Sequence, residues 1–440
     1  MIRWQPGYVF PPVFYPPHHP LGPLHAVFFL AIAAAVAAVT LRRPALGIAA
    51  LIVCIPFAEA RYFAGTSITI PKAAFIGFLV ALLFSRPKLE IFGERPLRVL
   101  AAAFAAVLAA IALSAVHASH PGPVLREFGK WLEYAALFLA VAVAFANDPD
   151  DRPVWRALVA IAIVEALYGM AQLLIGAPSG VTVRGHILPR VAGSLEGPNQ
   201  FAGWLNLLVP VLFARMLVHR DPWLVTAAVL SAIATVLTLS RSGIVAGLIG
   251  LVLVIVVTRP PRRVGLRLAT GGIAIAAALV GIGLMIGVEA RFFTLSEVPQ
   301  PDHLGTRSVL WSSALELWRT SPLTGIGAGN YELELGMVGH PDVRTHANSI
   351  YLQFLSETGI VGLAAMLFLV YTSIATFART YSRRPLVIGA FAAGMALALH
   401  QIFDYLLFFP KVGDFWCLLL GVGLVELLAS RDDVGALPQS

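Results

Sequence analysis

The chain of 440 residues is 58% hydrophobic and only 12% charged, with a mean hydropathy of +0.81. So little charge cannot wet the surface of a soluble domain, whereas lipid solvates an apolar exterior, so the composition reads as an integral membrane protein. Two cysteines, Cys54 and Cys417, lie in apolar runs near opposite ends and exclude a disulfide framework or a thiolate metal site; the net charge of +7 suits membrane anchoring and not nucleic acid.

The amino-terminal stretch MIRWQPGYVFPPVFYPPHHP is rich in proline and in aromatics that suit a membrane interface. It lacks the basic-then-apolar pattern of a cleaved signal peptide, so the first apolar run is expected to be retained. Runs long enough to cross about 30 Å of hydrocarbon fall near 24–41, 44–57, 71–85, 97–116, 131–146, 154–175, 199–218, 223–239, 243–258 and 266–288, with three more at 349–378, 386–409 and 412–429. The second and third are short, so 12 or 13 spans are expected. Unpaired backbone groups are not tolerated in lipid and the runs lack a barrel's alternation. The expected fold is therefore an all-α polytopic membrane protein, a single integral membrane domain over 1–440.

Basic residues mark alternate turns: Arg42 and Arg43, RPKLEIFGERPLR, Arg152 with Arg156, Arg220, RPPRRVGLR and RTYSRR. The positive-inside rule assigns these to the cytoplasm and the other turns to the outer face. Two outer loops, 176–198 and 289–347, exceed what a connection between neighbouring helices needs, which places function there. In the longer loop, TRSVLWSSALELW has Val309, Leu310, Ala314, Leu317 and Trp318 on one stripe of a short amphipathic helix that could lie on the outer membrane surface. PLTGIGAGNYE follows as a glycine-rich tight turn, a phosphate cradle being the weaker reading.

The outer loops hold arginines that topology does not require. Arg190 stands just ahead of a span, Arg241 lies in the short turn LSRSG, and Arg307 opens the amphipathic helix; Arg291 and Arg344 are further choices. An arginine at this boundary needs an anionic partner, which is a local carboxylate, a lipid phosphate or a substrate diphosphate. The seven acidic residues of loop 289–347 keep local pairing open.

In RTHANSIYLQFLSETGIVG, residues 344–362, His346 and Asn348 stand at the start of an inward-running helix. Amides, an amide side chain and an imidazole there suit holding an anion and moving a proton, although a histidine near a helix start also serves as a cap or packing residue. Gln353 and Glu357 share one face, and Glu357, deeper in the span, is expected to pair with an arginine or an amide. GIVG at 359–362 reads as a close helix contact. His400 and Asp404, four apart in HQIFDY, are expected to pair with each other or with a neighbouring helix. HPDVRTH matches no standard metal-ligand spacing, and no metal or cofactor is expected.

RVAGSLEGPNQFA before one span, SRSG between two, then TRSVLWSSALELWRTSPLTGIGAGNYE and HANSIYLQFLSETGIVG together resemble the O-antigen ligase and polymerase superfamily, over about 190–362. The resemblance implies a GT-C-like bacterial inner-membrane enzyme. It would move a glycan from undecaprenyl diphosphate at the periplasmic face to an acceptor, lipid A-core in the ligase branch, with inversion and without a metal. Carried over by motif, Arg190, Arg307 and His346 are the catalytic residues, while Arg241, Asn348, Arg291 and Glu357 join substrate binding. His346 takes the acceptor hydroxyl's proton or, in the competing assignment, donates to the diphosphate. The rivals are an O-antigen polymerase with the same donor and a bicarbonate or other small-anion transporter.

Overall fold

The structure is a computed structural model that describes residues 20–57, 60–63, 66–183, 186–219, 221–259, 304–378 and 384–435. Its helices are α1 (Pro23–Arg42), α2 (Pro44–Cys54), α3 (Ile70–Phe84), α4 (Arg95–Ser114), α5 (Pro121–Asn147), α6 (Asp151–Ile175), α7 (Pro198–Val218), α8 (Pro222–Leu237), α9 (Arg241–Thr258), α10 (Leu304–Thr320), α11 (Tyr331–Glu334), α12 (Ile350–Ala378), α13 (Pro385–His400) and α14 (Pro410–Gly435). Many open with proline in the first or second position, where its missing N–H costs nothing and its fixed φ is already helical.

Twelve of the thirteen apolar runs coincide with described helices, and the run at 266–288 lies outside the described residues. Eight of the helices are long and apolar enough to cross a membrane; α2, α3, α8 and α13 are shorter. The chain is an all-α polytopic membrane protein. Helices α7 and α14 form its centre and are mostly buried, while α1 and α9 expose most of their surface, as lipid-facing helices do. Helix α7 packs on α13 and α9, and α14 on α5.

Contacts between loops sort into two ends. At one end Arg43 pairs with Asp148 and Asp150 at 2.8 and 3.0 Å, Arg384 with Glu426 at 2.7 Å, and Arg215 with Asp151 at 3.3 Å. At the other, His117 meets Thr324 at 2.8 Å and Ser194 Oγ lies 2.9 Å from the Pro56 carbonyl. The described basic residues Arg43, Arg215 and Arg384 thus lie at one end and the loops containing His346 and Arg190 at the other, while Arg220 and most of RPPRRVGLR and RTYSRR lie outside the described residues.

Four features depart from the sequence reading. Two antiparallel hairpins occur, β1 (Ala60–Phe63) with β2 (Thr66–Thr69) and β3 (Ser179–Val183) with β4 (His186–Arg190), the second ending on Arg190. The run 386–409 is α-helical only to His400, with a 3-10 turn at Leu406–Phe408, because the carbonyls of Gln401 and Asp404 turn away to accept from Ile350 N and the Gln401 side chain accepts from Leu407 N. The stripe of α10 faces protein: Leu310, Ala314 and Leu317 are buried against Tyr331, Leu335, Val343 and Ala347.

The fourth departure is in α12, which breaks at Gly359, where φ is +65°. The glycine-rich turn threads the break: Ile326 N and Gly327 N donate to the carbonyls of Ser356 and Glu357, and Ile360 N and Val361 N donate to those of Pro322 and Leu323. A Cβ on Gly359 would lie 2.3 Å from the Leu323 carbonyl carbon. The close contact read into GIVG is therefore made with a loop and not with a helix.

A candidate active site at one end of the bundle

His346 sits in the turn that enters α12. Asn348 takes a left-handed φ of +51°, a conformation asparagine tolerates better than most residues. This aims its backbone N–H at His346 Nδ1, 3.1 Å away. A backbone N–H can only donate, so Nδ1 accepts and the neutral ring carries its proton on Nε2. Ala347 N donates to Gln353 Oε1 at 2.7 Å, and Ile350 N donates to Gln401 O and Asp404 O at 3.1 Å. The Ile350 amide is thus already engaged and is no part of an anion cradle.

The His346 ring packs against Tyr405, Phe408 and Phe409, with centroids 6.1, 5.7 and 6.3 Å away. Behind them the Lys130 ammonium lies 5.4 Å from the Tyr405 ring and 5.2 Å from that of Phe408, and bonds Glu127 at 2.8 Å. The apolar segment 401–409, outside any α-helix and with one 3-10 turn at Leu406–Phe408, thus forms a wall beside the imidazole.

Arg190 is buried at the end of β4, with Nε donating to Thr238 O and Nη2 to Asn199 Oδ1, both at 2.8 Å. Thr238 closes α8, and two residues later Ser240 caps α9, which begins with Arg241. Arg190 and Arg241 are therefore brought to one turn. Asn206, on α7, donates to Gly243 O at 2.9 Å and lies 3.4 Å from His400 Nδ1, which ties the α9 start to the end of α13.

Arg307 approaches the same place from α10. It is 7% exposed, and its Nε has no hydrogen-bond partner among the described residues. Trp311, one turn along α10, packs its indole 6.0 Å from the Phe403 ring. Shared contacts thus link Arg190 and Arg241 through Thr238 and the α9 start to His400, and the Arg307 helix and His346 to residues 403–409; Arg291 lies outside the described residues.

Glu357 faces elsewhere. It is 3% exposed and accepts from Gln353 Nε2 at 2.7 Å and from Tyr331 N at 3.2 Å, so its partners are amides, as the depth of the position demands. Ala347, Gln353, Glu357 and Tyr331 form one hydrogen-bonded line from the His346 turn to the glycine-rich turn. There Gly325, Gly327 and Gly329 have φ of +70°, +102° and +72°, the tight-loop reading. Burial pushes the Tyr331 phenol above its ordinary pKa, and the hydroxyl donates to Leu310 O at 2.7 Å.

Residues 226–367, from α8 past the break in α12, match the family model described as O-antigen ligase. The match covers about a third of the chain and supports membership of that family. The chain is a multi-pass membrane protein, and the matched segment supports a function of the ligase or polymerase type. No curated protein matches the chain. The matched segment contains Arg241, Arg307, His346, Asn348 and Glu357; Arg190 and the aromatic wall lie outside it.

Sequence reasoning missed Tyr405, Phe408 and Lys411, and assigned no chemistry to Asp404. Asp404 is 1% exposed; Oδ1 accepts from Tyr405 N at 2.7 Å and Oδ2 has no partner among the described residues. His400 and Asp404 do not share a helix face, since α13 ends at His400, whose ring engages Asn206 of α7 instead. The one available signal was a carboxylate and an imidazole inside an apolar run.

Proposed function

We propose that the chain is an O-antigen ligase that transfers a glycan from undecaprenyl diphosphate to lipid A-core, with its site on the periplasmic face of the bacterial inner membrane. The observation that carries this reading is Arg307, a buried arginine with no hydrogen bond to Nε among the described residues, lying with Arg190, Arg241 and His346 at the end opposite Arg43, Arg215 and Arg384. A buried guanidinium without a carboxylate is costly unless an anion completes it. A lipid diphosphate presents several oxygens that match its planar fork.

The acceptor hydroxyl attacks the anomeric carbon from the face opposite the diphosphate; the new C–O bond forms as the bond to the diphosphate oxygen breaks, inverting the centre. Arg190, Arg241 and Arg307 stabilise the negative charge that develops on the leaving group, so the step is written without a metal. Of the two roles for His346, the Asn348 bond favours donation: Nε2–H points a proton outward, whereas a base at Nε2 would need the opposite tautomer and would forfeit that bond. The hydroxyl proton then passes to the Asp404 carboxylate, whose buried Oδ2 has no partner among the described residues.

Purified protein supplied with undecaprenyl-diphosphate-linked glycan and rough lipopolysaccharide tests this reading. Glycan attached to the lipid A-core supports ligase, and chain lengthening on the carrier alone makes it a polymerase. Solute uptake by proteoliposomes, with neither product, overturns both.

A further inference from the structure

The segment that follows Arg190 dips into the bundle, where polar side chains from inside α6 meet it. Glu165 is fully buried and Gln172 is 6% exposed, two turns apart on one face of an apolar helix. Gln172 Oε1 accepts from Ala192 N at 2.8 Å and from Gly193 N at 3.1 Å, and its Nε2 donates to Gly193 O at 2.7 Å. Glu165 Oε2 accepts from Ser194 N at 2.9 Å.

The rest of the segment is equally committed. Val191 N donates to Leu237 O, Leu195 N to Ala192 O, and Lys411 Nζ to Ser194 O. Each backbone N–H and carbonyl from Ala192 to Ser194 therefore has a partner, a requirement for irregular backbone placed among apolar helices. Gly193 has φ +57°, and a Cβ there would lie 2.6 Å from Glu165 Oε2.

Ser194 Oγ bears on the protonation state. It lies 2.9 Å from the Pro56 carbonyl and 2.7 Å from Glu165 Oε1. The hydroxyl has one hydrogen and the carbonyl can only accept. If Ser194 donates to Pro56, the hydrogen between Ser194 and Glu165 belongs to the carboxyl. Lys411 does not need Glu165 as a counter-ion, since it pairs with Glu196 at 3.4 Å.

We propose that Glu165 is a neutral carboxylic acid which, with Gln172, acts as a positioning clasp that holds 192–194 and so presents Arg190 to the donor's diphosphate. The diphosphate half rests on the function proposed above. The clasp and its proton stand independently of it.

Glutamine copies a protonated glutamate, with Nε2 donating to Ser194 Oγ and Oε1 accepting from Ser194 N. Glu165→Gln is expected to keep slow amide exchange at 192–194 and wild-type affinity for undecaprenyl diphosphate, while removing an infrared carboxylic C=O band that the wild type shows. Glu165→Leu is expected to raise exchange at 192–194 and weaken undecaprenyl diphosphate binding by on the order of tenfold, the scale of one or two lost buried bonds. Gln172→Leu repeats the measurement should Glu165→Leu fail to fold.

If Glu165→Gln is as damaged as Glu165→Leu, or the band is missing from the wild type, the carboxyl is ionised and the proposal is wrong. Faster exchange in the leucine variant with unchanged binding shows a clasp that does not position Arg190. A wild-type protein that binds no undecaprenyl diphosphate sinks the function proposed above, while the exchange and infrared contrasts still decide the clasp.

Discussion

Asn348 donates its backbone N–H to His346 Nδ1 across 3.1 Å, from a left-handed residue whose φ is +51°. The backbone and not the asparagine side chain sets the imidazole. Asn348→Gly, which enters this region freely, is therefore expected to keep transfer near the wild-type rate, whereas Asn348→Val carries a left-handed strain of roughly 1–2 kcal/mol and loses activity. Equal damage from both, in a transfer assay on folded protein, would instead assign the carboxamide a direct contact with substrate.

The tautomer makes a second prediction. His346→Ala is expected to lose transfer by about a hundredfold or more, the range of a lost proton-transfer group. His346→Gln places an N–H near Nε2 and is expected to recover about tenfold of that loss if the ring donates. Turnover in Gln no better than in Ala returns His346 to the role of base.

Arg307 should trade stability for function. Arg307→Met removes a buried cation whose Nε lacks a partner and is expected to stabilise the ligand-free protein by roughly 1–3 kcal/mol while abolishing transfer. Arg307→Lys keeps the charge but not the fork, and donor affinity falls. Thermal unfolding in detergent with and without undecaprenyl diphosphate reads both effects. A less stable methionine variant would show that Arg307 already has its counter-charge within the protein.

Two glycines of positive φ should respond differently. Gly325→Ala would bring its Cβ to 2.2 Å from the Glu357 carbonyl carbon, and Gly339→Ala, at φ +88°, meets nothing within 4 Å. The first is expected to cost about 3 kcal/mol or more, from overpacking added to strain. The second costs about 1–2 kcal/mol of strain alone. Chemical unfolding of the two variants gives the comparison, and similar losses would argue against the backbone lacing at the α12 break.

The spans were legible because length and apolarity determine them locally: twelve runs became helices without any tertiary information. What the sequence hid depends on partners far along the chain. The run 386–409 is apolar throughout, yet its helix stops at His400 because Ile350, some fifty residues earlier, takes the carbonyls of Gln401 and Asp404. The break at Gly359 is likewise invisible in an apolar run, since Pro322 and Leu323 supply the carbonyls that make it stable. Arg190, Arg307 and His346 could be named because charge at a lipid boundary is conspicuous in sequence. Glu165 and Gln172 escaped notice, since only the folded 192–194 segment explains two polar residues inside α6, and the wall of Tyr405 and Phe408 looked like ordinary span.

The break divides α12 into a short upper piece, Ile350–Thr358, and a long lower one. The upper piece is moored at its top to the Gln401 and Asp404 carbonyls and at its foot to the 326–331 turn. A thinner or thicker bilayer alters helix tilt, and here both pieces are laced to the 322–331 turn beside the break, so tilt is taken up farther along the lower piece while the pedestal beneath His346 stays still. Catalytic geometry is thereby insulated from the lipid surroundings, so turnover should vary little among membranes that differ only in acyl-chain length.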